Sequence, residues 1–302
     1  MPSSIDLCYD VTSAISLGQR EVQEDAIICD FPIGAAMGFA VLSDGMGGHA
    51  AGDIASKIVV TEVFAELKLQ SGDPNALEDD IVTILQGAAT SANDCIRAHA
   101  GNDKATRGMG ATLVAPVLMA DHLYWVSVGD SPLLLFRDGT LKQLNQDHSM
   151  APQIDFLARA GMIESDVAFN HPDRQCLTSV LAGRDIARID CPETATELRH
   201  GDIVIAASDG LQFLEDSEIS DVLSEHGFAP SARISAGLLR ALEQLDDPDQ
   251  DNVSFCVIKV LDAGKQAGEA TQADNVTILT PTDKPDKPDM AMLQPTATDR
   301  RA

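Results

Sequence analysis

Apolar residues along this chain fall into short runs, alternating or continuous, that are broken by polar turns, a pattern that predicts many strands and a few amphipathic helices. Strands are expected at 12–17, 26–31 and 35–43. Helical stretches at about 50–69 and 76–100 follow, divided by Ser71-Gly72-Asp73-Pro74. Further strands are expected at 111–119, 123–128, 133–137 and 141–144. Connections as short as Ala120-Asp121-His122 and Asp138-Gly139 require antiparallel pairing. From about 145 to 185 the pattern is irregular, with one helix near 152–160 and a polar patch at His171-Pro172-Asp173-Arg174, and a mobile flap is expected there. A hairpin at 195–198 and 202–207, helices near 217–224 and 231–245, and a last strand at 253–260 complete the folded part. Beyond Asp262 the chain turns to Ala, Thr, Pro, Asp and Lys, including Asp283-Lys284-Pro285-Asp286-Lys287-Pro288-Asp289. Such a composition buries little, so a domain at 1–262 and a disordered tail at 263–302 are expected, the apolar patch Val276-Thr277-Ile278-Leu279 belonging to the tail.

One junction stands out. In Val41-Leu42-Ser43-Asp44-Gly45-Met46-Gly47-Gly48 an apolar run meets an acid and then a glycine-rich turn, ahead of a helix. A carboxylate there is either a turn residue bonded to its own backbone or a ligand for something positive. The same syntax recurs at Val128-Gly129-Asp130-Ser131 and Ala207-Ser208-Asp209-Gly210, and acids adjoin strands at Glu24-Asp25 and Asp251-Asn252. If these strands share a sheet edge, several carboxylates converge and cannot all ionise without a compensating cation. Oxygen ligands without a His or Cys cluster point to Mg²⁺, Mn²⁺ or Ca²⁺. Two such ions bridged by one carboxylate would make hydroxide for attack on a phosphate ester. Arg20, four and five residues before Glu24 and Asp25, would offer the forked donor that phosphate oxygens need.

The 44% hydrophobic content of the 302 residues suffices for a substantial core. A formal charge of -26, from 47 acids and 21 bases, argues against nucleic acid and anionic membrane as partners. No apolar run is long enough to span a membrane and the first ten residues lack a signal-peptide pattern, so a cytoplasmic location is expected. Cys8, Cys29, Cys95, Cys176, Cys191 and Cys256 are scattered without a C-x-x-C pair, which favours reduced thiols over a zinc ribbon or a disulfide framework.

Taken together, Arg20-x-x-Gln23-Glu24-Asp25, Asp44-Gly45-Met46-Gly47-Gly48, Gly108-Met109-Gly110-Ala111-Thr112, Val128-Gly129-Asp130-Ser131, Leu177-Thr178 near Leu181-Ala182-Gly183, Ser208-Asp209-Gly210 and Asp251-Asn252 form an ordered set. On that set the chain resembles the metal-dependent type 2C protein serine/threonine phosphatases, the PPM family, in a bacterial-style form, over roughly 11–261. The resemblance implies an α+β fold, a four-layer α-β-β-α sandwich of two antiparallel sheets flanked by helix pairs. It also implies two Mn²⁺ or Mg²⁺ ions and a third, weaker one. Asp44 would bridge the two metals, with the Gly45 carbonyl beside it; Asp209 and Asp251 would bind one metal. Glu24 and Asp25 would serve the other directly or through water, Asp130 and Asp209 correspond to the third position, and Arg20 would hold the substrate phosphate. The implied partners are phosphoserine and phosphothreonine proteins, among them a bacterial-type serine/threonine kinase and its substrates.

Departures from the family pattern are informative. Gln23 stands where Asn is usual, Ala111 where Thr is common, and Pro132 where an Arg is frequent. Met46 occupies the place at which some members carry a His that protonates the leaving oxygen, which leaves His49 or metal-bound water as the general acid. His148 and His171 read as loop histidines. Two other functions compete for the same residues. Gly45-x-Gly47-x-x-Ala50 superficially matches a dinucleotide-binding turn, but Asp44 would repel a pyrophosphate there. A non-catalytic phosphoprotein-binding module with the same fold is the second alternative, disfavoured by the full ligand set.

Overall fold

The computed structural model describes residues 7–33, 35–48, 50–102 and 106–263. The expected tail from 264 onward, with its apolar patch, lies outside the described residues, as does His49. In chain order the elements are β1 (Leu7–Ser16), β2 (Asp25–Asp30), β3 (Met37–Met46), α1 (Ala50–Gln70), α2 (Pro74–Asp79), α3 (Ile81–Asn102), β4 (Gly110–Ala111), β5 (Leu113–Met119) and β6 (His122–Val128). They continue with β7 (Leu133–Arg137), β8 (Thr140–Gln143), α4 (Ala151–Arg159), α5 (Ser165–Phe169), β9 (Thr196–Glu197), β10 (Ile203–Ala207), α6 (Asp216–His226), α7 (Ser231–Leu245) and β11 (Val253–Asp262).

The strands form two sheets with antiparallel pairing, one ordered β1-β11-β10-β7-β8 and the other β2-β3-β5-β6-β9, with β4 paired to the end of β3. Side-chain alternation divides the apolar residues into three cores. On β3, Phe39 and Val41 face α1 and α3, whereas Ala40 and Leu42 face the other sheet. On β11, Cys256, Ile258 and Val260 face between the sheets, and Val253, Phe255 and Val257 face α6 and α7. Strands apolar on both faces are what a four-layer sandwich requires. The expected α+β architecture is the one observed.

Boundaries moved where pairing overrode local pattern. β3 continues through Asp44 to Met46, beyond the expected end at Ser43, because β2 pairs Asp25 with Asp44 and β4 pairs Ala111 with Gly45. The expected strand at 111–119 is interrupted at Thr112, whose N–H turns to the Asp44 carbonyl at 2.8 Å. The helix expected at 76–100 is broken at Asp80, after Glu78-Asp79, where side chains that compete for backbone bonds favour a cap. The expected flap contains α4 and α5, with Arg174 clamping Asp155 through bonds of 2.6 and 3.1 Å.

β1 begins at Leu7, earlier than expected, and gives Asp10 a structural use. Ser231 opens α7 behind Pro230, which has no capping side chain. Asp10 accepts the Ser231 N–H at 2.7 Å and the Ser231 hydroxyl at 2.8 Å, so a strand residue caps a helix 221 positions away. Replacing Asp10 by Ala should lower unfolding free energy by about 1–2 kcal/mol in urea titrations, the range for loss of an N-cap, with Asp10→Asn retaining most of it.

Candidate metal centre

The antiparallel pairing of β2 with β3 sets Asp25 opposite Asp44. β10 delivers Asp209 at its C-terminal end, the turn after β6 delivers Asp130, and Asp251 precedes β11. These five segments bring Asp25, Asp44, Asp130, Asp209 and Asp251 within each other's electrostatic field. Burial raises the Asp44 carboxyl well above its ordinary value, with Asp209, Asp25, Asp130 and Asp251 adding to the rise. Burial, then Asp209 and Asp251, holds Asp25 at about 7 against the hydrogen bond from Ser208. Asp130 is likewise pushed up to about 7 by burial and Asp209. Asp209 is raised by burial and by Asp251, and shares a hydrogen bond with Asp44.

Asp25, Asp44 and Asp251 are held from behind. The Ser208 hydroxyl donates to Asp25 Oδ2 at 2.8 Å. Gln23 spans two partners: its Nε2 donates to the Ser16 carbonyl at 2.9 Å and its Oε1 accepts the Asp25 N–H at 2.9 Å. The longer amide therefore ties the end of β1 to the start of β2. Thr112 Oγ1 accepts the Asp44 N–H at 2.9 Å and lies 2.7 Å from the Ser131 hydroxyl, which couples the Asp44 and Asp130 segments. Asn252 joins three segments, accepting the Glu24 N–H at 2.8 Å, donating to the Leu17 carbonyl at 2.9 Å and donating its own N–H to Asp251 at 2.7 Å.

Two glycines are dictated by close approach. A Cβ on Gly45 would stand 2.0 Å from the Gly52 carbonyl oxygen in α1, and one on Gly210 would stand 2.0 Å from the Asn252 carbonyl oxygen. Glu24 directs Oε1 against Gly52, at the start of α1. Arg20 lies at the rim, its side chain 54% exposed and its guanidinium bonded to Asp251 Oδ2 at 2.7 Å.

This donor set fits a divalent cation in chemistry. It offers buried oxygens that suppress one another's ionisation, and Asp209 Oδ1 has no hydrogen-bond partner among the described residues. Among the described residues no group of three acids is arranged to enclose one ion. A cavity of about 680 Å³ lined by Phe136, Ile203, Leu223, Phe228 and Lys259 opens at the opposite end of the first sheet, away from these acids.

Sequence reasoning named the five aspartates, Glu24, Gly45 and Arg20, and the structure gathers them at one end of the sandwich. It missed the supporting Thr112, Ser131 and Ser208, and Asp147, whose charge acts on Asp130. Hydroxyls beside the quoted acids were the available signal for Ser131 and Ser208. Met46 is exposed at the end of β3, and His148 is buried with Nδ1 accepting the Gly129 N–H at 3.2 Å, a loop residue that braces the Asp130 turn.

A family profile described as Protein phosphatase 2C matches residues 16–247. The chain is 33% identical over 223 residues to the serine/threonine protein phosphatase PstP of Mycobacterium tuberculosis, an alignment covering 73% of this chain and 40% of that protein. The chain thus spans less than half the length of that relative. It is 29% identical over 217 residues to the protein phosphatase PhpP of Streptococcus pneumoniae, covering 71% of this chain and 84% of the other. Among solved structures, the catalytic domain of PstP in complex with two manganese ions superposes with a TM-score of 0.67 at 29% identity, covering 85% of this chain and all (100%) of that one.

Two outcomes follow from the geometry. Between the ordinary carboxylate value of 3.8 and the folded value of about 7, folded Asp25 and Asp130 keep protons that the unfolded chain has released. Stability therefore falls as pH rises through that window. Melting of the chelator-treated protein should occur at a lower temperature at pH 8 than at pH 5, and a flat profile would contradict the clustering. Replacing Gln23 by Ala strands the Asp25 N–H, and urea unfolding should register a loss of about 1–3 kcal/mol.

Proposed function

The chain belongs to the protein phosphatase 2C family, and from that premise we propose that it is a metal-dependent phosphatase acting on phosphoserine and phosphothreonine in proteins. The observation that carries this reading is the convergence of Asp25, Asp44, Asp130, Asp209 and Asp251 with Arg20 at their rim. In this reading two Mn²⁺ or Mg²⁺ ions would be held by Asp44 and the Gly45 carbonyl, by Asp209 and Asp251, and by Glu24 and Asp25 directly or through water, and Asp130 with Asp209 would offer a third, weaker position. When bound, such a pair lowers the pKa of water and offsets the charge of the phosphate.

The chain's own residues supply placement. Arg20 presents a half-exposed planar fork that matches two phosphate oxygens, so it orients the ester over the acids. Ser208 and the Asn252 N–H hold the Asp25 and Asp251 carboxylates, and Gln23 and Thr112 hold the backbone at Asp25 and Asp44, before substrate arrives, which limits reorganisation in the reaction step. Gly45 keeps the backbone beside Asp44 close to α1, where any side chain would separate strand from helix. Met46 has no proton to give, so protonation of the leaving oxygen falls to solvent or to His49. The non-catalytic alternative has no use for so complete an acid set.

The substrates in this reading are phosphoproteins, including the targets of a bacterial-type serine/threonine kinase and the kinase itself. The catalytic unit spans residues 1–262, and the cytoplasm is its place of work. Among the described residues no helix is long and apolar enough to cross a membrane, and the charge of -26 disfavours anionic surfaces.

Purified protein should hydrolyse an aryl phosphate and phosphothreonine peptides on addition of Mn²⁺ and stop on chelation. Asp209→Asn should depress turnover by more than the roughly 10–100-fold that loss of a mere supporting contact costs, with melting little changed. Turnover that survives both treatments sinks the mechanism. Mn²⁺ binding without turnover selects the regulatory module instead.

A further inference from the structure

Cys29 and Cys256 are 227 positions apart in the chain, yet their sulfurs stand 3.4 Å apart. Cys29 belongs to β2, the edge strand of its sheet, and Cys256 to β11 in the facing sheet. Both thiols meet at the margin of the core between the sheets, with Cys256 buried and Cys29 half-buried. Ser13 is the register partner of Cys256 on β1 and is exposed, which marks the open side of this margin. The contact with Cys256 outweighs burial and, with a lesser contribution from Ser13, holds the Cys29 thiol below its ordinary value. Cys8, Cys95 and Cys191 are shifted the other way, first of all by burial. Cys29 is thus a half-buried thiol with a second thiol already in contact with it.

We propose that Cys29 and Cys256 are a peroxide-responsive site that closes into a disulfide across the two sheets. The Cys29 thiolate attacks one oxygen of hydrogen peroxide and the O–O bond breaks. Cys29 becomes a sulfenic acid and the departing hydroxide takes a proton to become water. The Cys256 sulfur then attacks the Cys29 sulfur and displaces hydroxide, which leaves as a second water with the Cys256 proton. Two thiols are oxidised to one disulfide and one peroxide is reduced to two waters. The sulfurs must approach from 3.4 Å to about 2.05 Å, a closure that an edge strand can accommodate. Asp25 lies four residues before Cys29 and Asp251 five before Cys256, so the bond would tie together two strands that lead into the acidic site. A thiol agent would reopen it, as expected of a transient disulfide.

The test is a peptide map of the folded, full-length protein after brief exposure to hydrogen peroxide, quenched and digested without reductant. The expected product is a peptide pair joined through Cys29 and Cys256, lost on treatment with dithiothreitol. The oxidised protein should unfold at a higher urea concentration than the reduced one. Cys256→Ser should instead accumulate a Cys29 sulfenic acid that dimedone traps. Oxidation of the exposed Cys176 while Cys29 and Cys256 remain thiols would overturn the proposal, as would a Cys29 sulfenic acid that persists in the wild-type chain. The wild-type map decides the matter even if a serine variant does not fold.

Discussion

Asp25, Asp44, Asp130 and Asp209 stand in a region from which water is largely withdrawn, and burial together with neighbouring acids makes these four harder to ionise. Such a cluster opposes folding unless something else holds its members in place. The two sheets provide that hold. β2 and β3 fix Asp25 against Asp44 by backbone register, while β10 and β11 bring the acids of the other sheet to the same end. The repulsion is therefore built into the topology, and binding of positive charge is its natural relief.

Support comes less from ion pairs than from neutral donors and backbone bonds. Ser208, Gln23, Thr112 and Asn252 each join two or more chain segments, and each bonds an acid or the backbone beside it. Neutral side chains leave the acids' charges available for a ligand, whereas a lysine in the same positions would cancel them. Arg20 is the exception, bonded to Asp251 at the solvent-facing rim where a substrate phosphate would compete for it. The substitutions that set this chain apart from the family pattern are consistent with this arrangement. Gln23 makes both of its amide bonds, and Pro132 still contributes a carbonyl that accepts the Ala207 N–H at 3.0 Å.

The same sandwich that gathers the acids also gathers the thiols. Side chains one face apart on β11 serve different cores, so Phe255 packs under α7 while Cys256 looks across to β2. A one-residue slip in β11 would exchange these faces and disrupt both contacts. Register thus controls the acid cluster and the Cys29–Cys256 contact together.

Hydrophobic alternation alone located most strands, and acids at strand ends pointed to one oxygen-rich site, because both are local properties of consecutive residues. Glycine at 45 and 210 was visible as well, although the reason for it, a carbonyl oxygen from a distant segment, was not. Other features needed the assembled fold. Pairing with β2 and β4 carried β3 through Asp44, Thr112 interrupted a continuous apolar run by bonding to it, and Asp10 capped a helix far along the chain. Met46 shows the boundary from the other side: its chemistry excludes proton transfer from the sequence alone, whereas its exposed place at the end of β3 comes from pairing with Gly110. Residue chemistry determined which groups could bind a cation or donate a proton. Only the tertiary structure decided which of them meet, because contacts across 200 residues depend on sheet order and register rather than on neighbours in sequence.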